Sequence, residues 1–330
     1  MKYRALGKTG LKVSEIGFGT WGIGGKTAGA TSYGETSDAV SRQALETAFD
    51  NGINFFDTAN VYGNGRSESL LGEVFAGRRK DVVIATKAGF NDYHSPHDFS
   101  AAAVNRSLEG SLGRLGSDYV DMLMLHNPDP DDPALEETFN YLATLKKTGQ
   151  LKAIGVSVRG PEDCEILLER YPLDALQLNL NLMDQRAIDS GAFEKAQGAG
   201  CSIIARTPLC FGFLSSRLSG AVSFDPSDHR SRWPKEQVEK WQQGRALYAA
   251  SLAPKSDNSM SLAALRFCIT HAAVAAVIPG ILSPIEATQN ARASDLGAFS
   301  EADFAEIRKI YADNSFFVER PEQKLAMADK

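Results

Sequence analysis

The chain has 330 residues, of which 43% are hydrophobic, so it is long and apolar enough to bury a large core. Its 41 acidic residues exceed its 35 basic ones, which leaves a formal net charge of −6. This balance argues against nucleic acid or an anionic membrane surface as a partner, because both are bound through clustered Lys and Arg.

The sequence predicts a cytoplasmic protein. No apolar signal region follows Met1, and no apolar stretch approaches the ~20 residues needed to cross a bilayer. The cysteines are far apart, a pattern typical of reduced thiols in the cytosol. His94 and His97 form a close pair without further ligands at metal-binding spacing, so we expect no metal site.

Short apolar runs alternate with amphipathic stretches, an order typical of βα units and a parallel sheet. Residues 3–13 alternate apolar and polar around Gly7-Lys8-Thr9-Gly10, which predicts a β-hairpin. The predicted barrel strands that follow are 15–19, 53–57, 82–87, 120–126, 152–157, 175–180, 202–206 and 275–279. The predicted fold is a single-domain (β/α)8 TIM barrel over residues 1–330, with the hairpin as a cap and long loops at the C-terminal rim.

Two connections depart from a plain βα repeat. Gly17–Gly22 matches the dinucleotide fingerprint G-x-G-x-x-G, but the residues that follow are too rich in glycine to begin a helix. This segment therefore predicts a loop over the barrel mouth. The connection after Arg206 is much longer than one helix needs and contains a helical stretch at about 236–251. Long insertions at this rim usually form lids or ligand loops.

Polar residues stand at or just past the ends of six predicted strands. They are Asp57, Lys87, His126, Ser157, Gln177 and Arg206. Because the C-terminal ends of barrel strands form the catalytic face, these positions indicate an enzyme. An ammonium group that faces a barrel interior must be paired or functional. We expect Asp57, on the adjacent strand, to pair with Lys87.

Tyr62 follows Asp57 by five residues, so a short loop would bring its phenol over the same mouth. A free phenol has a pKa of about 10, which is too high for ready proton exchange near neutrality. A nearby ammonium group stabilises phenolate and would lower that pKa. The grouping of Asp57, Lys87 and Tyr62 therefore predicts a phenol that acts as a general acid.

These residues resemble the catalytic tetrad of the aldo-keto reductase superfamily: Asp57, Tyr62, Lys87 and His126 match it in order and context. The resemblance covers nearly the whole chain and includes the stretches Gly52–Thr58, Ala85–Lys87, Asp118–Asp121 and Leu125–His126. It implies a barrel that binds a nicotinamide cofactor across its rim and reversibly reduces an aldehyde or ketone to an alcohol. It also implies that Tyr62 is the proton donor and that His126 polarises the carbonyl.

The resemblance implies the cofactor contacts as well. Ser157 and Gln177 match the residues that hold the nicotinamide carboxamide, although Val158 stands where the family often has Asn. Arg206 takes the place of an aromatic residue that stacks on the nicotinamide in many members. The remaining candidate cofactor contacts are Thr20, Trp21, Pro208, Leu209, Gly212, Leu214, Arg217, Gly280, Leu282, Ser283, Glu286, Gln289 and Asn290.

The choice between NADP(H) and NAD(H) stays open in the sequence. NADP(H) is the family default. Gly280 and Glu286, however, stand where many NADPH-dependent members carry basic residues, and an acidic side chain would repel a 2′-phosphate. The long loop offers Arg217, Arg230 and Arg232 as alternative phosphate ligands.

Two other functions remain alternatives. Lys87 could form a Schiff base, as in a lyase, although Ser157, Gln177 and Arg206 would then be unexplained. The chain could also be a non-catalytic nicotinamide-binding or redox-sensing subunit, as in the potassium-channel β subunits that resemble the same family. The sequence does not separate a monomer from a homo-oligomer.

The substrate pocket is predicted from position alone, as a small-molecule site with mixed aromatic and polar walls. Such walls suit a hydroxylated substrate such as a sugar, or a small aromatic aldehyde. The principal candidates are Trp21, Phe90, Phe211 and Trp233, with Asn91, His94, Phe316 and Phe317 as further possibilities.

Overall fold

The computed structural model describes residues 1–27, 31–215, 218 and 222–318. Its first element is a hairpin in which β1 (Tyr3–Ala5) pairs antiparallel with β2 (Lys12–Ser14). Leu6 and Val13 are fully buried and pack against apolar residues inside the barrel. The hairpin therefore caps the barrel, as predicted.

The described residues form one eight-stranded parallel sheet in which the strands follow chain order. These strands are β3 (Phe18–Gly19), β4 (Phe55–Asp57), β5 (Val83–Ala88), β6 (Val120–His126), β7 (Leu151–Ser157), β8 (Ala175–Asn179), β9 (Ser202–Arg206) and β10 (Val274–Ile278). Parallel bridges from Ile16 to Val277 and from Gly19 to Gly280 join the first strand to the last. The sheet is thus nearly closed into the predicted barrel.

Strand β3 is shorter than the predicted 15–19 because the residues before it help to close the barrel. The amide of Gly17 donates to the carbonyl oxygen of Val277, and the amide of Val277 donates to that of Glu15. The distances are 2.8 Å and 2.9 Å. The other predicted strands are confirmed to within a residue or two at each end.

Helices lie between the strands and cover the outside of the barrel. Those of the described chain are α1 (Asp38–Asp50), α2 (Arg66–Phe75), α3 (Ala101–Leu115), α4 (Leu135–Thr148), α5 (Glu162–Arg170), α6 (Arg186–Asp189), α7 (Ala192–Ala199), α8 (Lys235–Leu252), α9 (Met260–Ile269), α10 (Pro284–Leu296) and α11 (Glu301–Ala312). Helix α8 confirms the helix predicted at about 236–251. No helix in the described ranges combines the length and apolar character needed to cross a membrane.

The ends of α3 and α10 follow from local chemistry. Ser100 caps α3 by accepting from the amide of Ala103, and Gly116 ends it in the left-handed region at φ 59°. Ser283 caps α10 by accepting from the amide of Glu286, with Pro284 at the first helical position. The cap of α10 fixes the end of the loop that follows β10.

Candidate active site

Lys87 and Asp57 form a buried ion pair at the C-terminal ends of β5 and β4. The Lys87 ammonium donates to Asp57 Oδ1 at 2.7 Å, to Asp57 Oδ2 at 2.9 Å and to the carbonyl oxygen of Thr58 at 2.8 Å. Both side chains are almost completely buried. A lysine ammonium has three N–H donors, and each of them has an acceptor here. The pairing expected from the sequence is therefore present, and the ammonium is fully coordinated.

The Tyr62 ring lies beside this pair, 4.8 Å from Lys87 Nζ to the ring centroid. A turn after β4 carries it, in which the amide of Tyr62 donates to the carbonyl oxygen of Ala59 at 3.1 Å. Gly63, at φ 60°, lets this turn pass the loop before α1, since a Cβ there would lie 2.2 Å from the carbonyl oxygen of Gly24. The phenol is thereby held at the mouth, as expected.

The pKa of Tyr62 differs from the expectation. Burial raises the pKa of the phenol above its ordinary value, Asp57 adds to the rise, and Arg206 opposes it. The ammonium of Lys87 does not give the net lowering of this pKa that we predicted, because burial outweighs it and Asp57 compensates its charge. The phenol of the free protein therefore keeps its proton at neutral pH.

His126 ends β6 and is 8% exposed. Its ring centroid lies 6.2 Å from that of Tyr62, in an edge-on arrangement. Burial lowers the pKa of His126 well below 6.5, and the charges of Lys87 and Arg206 and the nearby His97 lower it further. The imidazole is therefore neutral near pH 7.

This shift predicts how stability depends on pH. The unfolded chain takes up the His126 proton near pH 6.5, whereas the folded protein does so only at a much lower pH. The unfolded state then binds more protons, so stability is lost as pH falls below about 6.5. We expect His126→Gln to weaken this loss in denaturant titrations at pH 7.5 and 5.5. An identical loss in both proteins would mean that other groups are responsible.

Three further strand-end residues, Ser157, Gln177 and Arg206, surround the tetrad, and Ser157 lies opposite His126 in the pairing of β7 with β6. Gln177 donates from Nε2 to Asp57 Oδ2 at 2.7 Å. Arg206 donates from Nη2 to the carbonyl oxygen of Val158 at 3.1 Å, while its buried Nε has no hydrogen-bond partner among the described residues. The six polar strand ends thus converge on one mouth.

Asn127 lies beside Ser157 and supplies a side-chain amide there. In the sequence, Val158 takes the position where the family often has an asparagine. Val158 is buried in the core, so its side chain does not line the mouth. Asn127 adopts a left-handed conformation, φ 55°, directly after His126. Ser157 donates from its hydroxyl to Asn127 Oδ1 at 3.3 Å. Sequence reasoning missed Asn127, and its position directly after a strand end was the only available signal.

The residues at the mouth fit a nicotinamide cofactor. The unpartnered Arg206 Nε, the Ser157 hydroxyl and the Gln177 amide form a polar set suited to a carboxamide and its ring. Beside the capped N-terminus of α10, a Cβ at Gly280 would meet no atom within 4 Å, so the loop leaves space there. Helix N-termini favour phosphate groups.

The carboxylate of Glu286 is held against this loop, since its Oε2 accepts from the amide of Leu282 at 2.8 Å. Asn290 is buried on the same helix, whereas Gln289 is exposed. Glu286 therefore faces the loop from the first turn of α10 and is not turned away from it.

The remaining cofactor candidates have mixed environments. Thr20 is buried and donates to the carbonyl oxygen of Asp57 at 2.9 Å. Pro208 and Leu214 are buried, so their side chains serve packing, whereas Leu209 and Gly212 are partly exposed. Arg217 lies outside the described residues.

An aromatic cluster joins the first βα loop to the long loop after β9. The Trp21 ring lies 4.7 Å from that of His229 and donates from Nε1 to the hydroxyl of Tyr93 at 3.1 Å. The rings of Trp233 and Phe211 lie 4.7 Å apart, and that of Trp233 lies 5.2 Å from His229. Trp21, Phe211 and Trp233 are therefore brought together, and sequence reasoning missed Tyr93 as a member.

The other pocket candidates are not all part of that cluster. Both faces of the Phe90 ring are covered, by His126 and by His97. Phe316 is buried against Tyr248, and Asn91 and His94 lie in a surface loop. Phe317 lies at the edge of the cluster: its ring centroid is 6.2 Å from that of Trp241, which is 4.9 Å from that of Trp233.

Comparison of the sequence with known proteins identifies a matching family and several relatives. The family model described as Aldo/keto reductase family matches residues 15–312. Aldo-keto reductase YhdN of Bacillus subtilis (strain 168) is 32% identical over 248 residues, which cover 74% of this chain and 72% of that protein. L-glyceraldehyde 3-phosphate reductase of Escherichia coli (strain K12) is 30% identical over 333 residues, which cover 95% and 93%.

A solved structure of the same family has a similar fold. The glycerol dehydrogenase AKR11B4 from Gluconobacter oxydans superposes with a TM-score of 0.79 at 26% identity, over 97% of this chain and 98% of that one. The barrel, the convergence of polar strand ends and the match over residues 15–312 point the same way. The chain belongs to the aldo/keto reductase family.

Proposed function

We propose that the protein reversibly reduces an aldehyde or ketone to an alcohol with a nicotinamide cofactor, using Asp57, Tyr62, Lys87 and His126. One observation carries this proposal. The rings of Tyr62 and His126 lie at the barrel mouth with their centroids 6.2 Å apart, and the Tyr62 ring centroid lies 4.8 Å from the ammonium of the buried Lys87–Asp57 pair. A protonated phenol and a neutral imidazole can donate two hydrogen bonds to one carbonyl oxygen.

Tyr62 is the general acid in this proposal. Its raised pKa keeps the proton on the phenol until negative charge develops on the substrate oxygen. An alkoxide is a stronger base than a phenolate, so the proton then moves from Tyr62 Oη to that oxygen. Lys87 lies 4.8 Å from the ring and stabilises the phenolate that is left.

His126 orients the carbonyl in its neutral form. A neutral imidazole carries one N–H, which donates to the carbonyl oxygen and stabilises charge as it forms. Because the pKa of His126 is far below 6.5, this role does not depend on pH near neutrality.

Ser157, Gln177, Asn127 and Arg206 would hold the nicotinamide end of the cofactor, and the loop before α10 would hold the adenosine phosphate end. When bound, the cofactor supplies the hydride for reduction or accepts it in the reverse direction. The protein's contribution is to fix the carbonyl carbon within reach and to deliver the proton.

The substrate class proposed is a short, hydroxylated aldehyde or its alcohol. Two relatives are named for L-glyceraldehyde 3-phosphate and for glycerol. The cluster around Trp21 combines aromatic faces with polar tips, such as the hydroxyl of Tyr93, and such walls suit a hydroxylated carbon chain. A carbonyl panel assayed with NADPH and with NADH tests the class and the cofactor together.

Turnover number separates this proposal from a non-catalytic binding subunit. The enzyme should oxidise many equivalents of reduced cofactor per chain with at least one carbonyl of the panel. Oxidation that stops at one equivalent would favour a redox-sensing subunit.

We predict that cofactor preference depends on Glu286. Glu286→Arg removes a carboxylate beside the proposed adenosine site and introduces a group suited to phosphate. The NADPH:NADH ratio of kcat/KM should rise at least about tenfold, which is roughly 1.4 kcal/mol.

The matched control is Glu286→Gln, which keeps an acceptor for the amide of Leu282 but loses the charge. Glu286→Gln should raise the NADPH:NADH ratio by less than Glu286→Arg does. If Glu286→Arg raises the ratio and Glu286→Gln leaves it unchanged, the gain comes from new contacts of the arginine and not from loss of the carboxylate. An unchanged ratio in Glu286→Arg would place the 2′-position against Arg217, Arg230 or Arg232 of the long loop and restore NADPH as the expected cofactor.

A further inference from the structure

Three rings form a continuous stack beside the tetrad. Phe90 lies between two imidazoles, with its centroid 4.4 Å from that of His126 at an interplanar angle of 12°. On its other face, His97 lies at 3.8 Å and 18°. Both faces of Phe90 are thus used within the protein, so only its edge remains for a ligand.

Within the described part of the chain, no residue makes with His126 the hydrogen bond that usually orients a functional imidazole. In most such histidines, the second ring nitrogen bonds to a carbonyl or carboxylate, which sets the tautomer and the ring plane. Here Nδ1 of His126 is buried and has no hydrogen-bond partner among the residues that the structure describes. The plane of the ring must therefore be set by packing.

The backbone of Phe90 is anchored to the turn that carries Tyr62. Asn60, in that turn, donates from Nδ2 to the carbonyl oxygen of Phe90 at 2.6 Å. The preceding Gly89 has φ 111°, and a Cβ there would lie 2.0 Å from the Phe99 ring. The loop closes where the amide of Asp98 donates to the carbonyl oxygen of Gly89 at 2.9 Å.

The outer ring of the stack is also held. Arg159 Nη2 lies 3.5 Å from His97 Nδ1, and the Phe99 ring lies edge-on to His97 at 6.1 Å. His97 therefore closes the outer face of Phe90, and Phe90 cannot move away from His126 without displacing it.

We propose that Phe90, backed by His97, is a positioning residue that holds the imidazole of His126 in the plane from which it meets the substrate oxygen. The inference rests on the proposed function, because it acts through the role given to His126. Stacking replaces the missing hydrogen bond at Nδ1. A small rotation of the ring would misalign its N–H, and misplacement by about 1 Å can cost up to ~10²-fold in rate.

The first test compares Phe90→Leu, which keeps an apolar side chain but loses the planar face, with Phe90→Tyr, which keeps the ring. Phe90→Leu should lower kcat about tenfold or more, within the range that misplacement allows. Cofactor affinity should stay within a few-fold, and Phe90→Tyr should retain most of kcat. An equal loss in both variants would overturn the proposal.

A second readout does not depend on activity. The ring current of Phe90 should shift the imidazole C–H proton resonances of His126 upfield in histidine-labelled protein. His126→Gln assigns them. Phe90→Leu should move them downfield and Phe90→Tyr should not. Unchanged resonances in Phe90→Leu would overturn the proposal. If that variant does not fold, His97→Ala is measured, with a smaller shift and a smaller loss of kcat expected.

A double-mutant cycle with His126→Gln separates this inference from the proposed function. If Phe90 acts through His126, the effect of Phe90→Leu should largely disappear in the His126→Gln background. The same loss in both backgrounds would overturn the positioning role while leaving the function intact. If His126→Gln alone does not reduce activity, the role of His126 in the proposed function fails, and with it the positioning role.

Discussion

Tyr62→Phe is expected to reduce the rate of carbonyl reduction by at least about 10²-fold, because general acid groups contribute 10²–10⁴-fold. The substitution keeps the ring that packs beside Lys87 and removes only the hydroxyl that carries the transferable proton. Steady-state kinetics with the best substrate of the carbonyl panel measures the loss.

Cofactor binding provides the control for this substitution. Quenching of protein fluorescence by NADPH and NADH should give dissociation constants within a few-fold of wild type, because the proposed cofactor contacts lie on other strands. Turnover above about a tenth of wild type would identify another group as the acid. If cofactor binding is lost as well, single-turnover rates at saturating cofactor separate the effect on proton transfer from the effect on binding.

Lys87→Met should abolish activity and also destabilise the protein. Asp57 would keep only the hydrogen bond from Gln177 among those its side chain now accepts, so a buried carboxylate would lose its counter-ion. Removing one partner of a buried ion pair costs about 3–5 kcal/mol. Denaturant unfolding should show a decrease of that order in the free energy of unfolding. Steady-state kinetics should detect no turnover of the carbonyl substrate.

The double variant Asp57→Asn, Lys87→Met separates the two effects. With both charges removed, much of the lost stability should return, because no uncompensated charge remains. Activity should stay lost, because the phenolate has no ammonium beside it. Recovery of activity together with stability would show that Lys87 has only a structural role.

Borohydride trapping tests the Schiff-base alternative for Lys87. A Schiff base needs a neutral amine, whereas all three donors of this ammonium are engaged by Asp57 and Thr58. We therefore expect no adduct when the protein is treated with borohydride and a carbonyl substrate. A covalent adduct at Lys87 would favour a lyase over the proposed reductase.

The sequence by itself determined the barrel and the residues at its rim. Six of the eight apolar runs end in or lead to a polar residue, and parallel strands that follow chain order bring all their ends to one face. Asp57, Lys87 and His126 could therefore be placed together before any contact was known. The cap at Ser283 was equally local, since a capping residue followed by proline specifies a helix start.

Tertiary structure alone decided how these groups behave, because pKa values and ring contacts depend on what surrounds a side chain. The pKa of Tyr62 is raised, not lowered, since burial outweighs a lysine whose charge Asp57 already compensates. Phe90, predicted as a pocket wall, has both faces covered by His126 and His97, residues 36 and 7 positions away in the sequence. Strand periodicity specifies which face a residue occupies, whereas desolvation and stacking require the neighbours that only the closed barrel and its loops bring near.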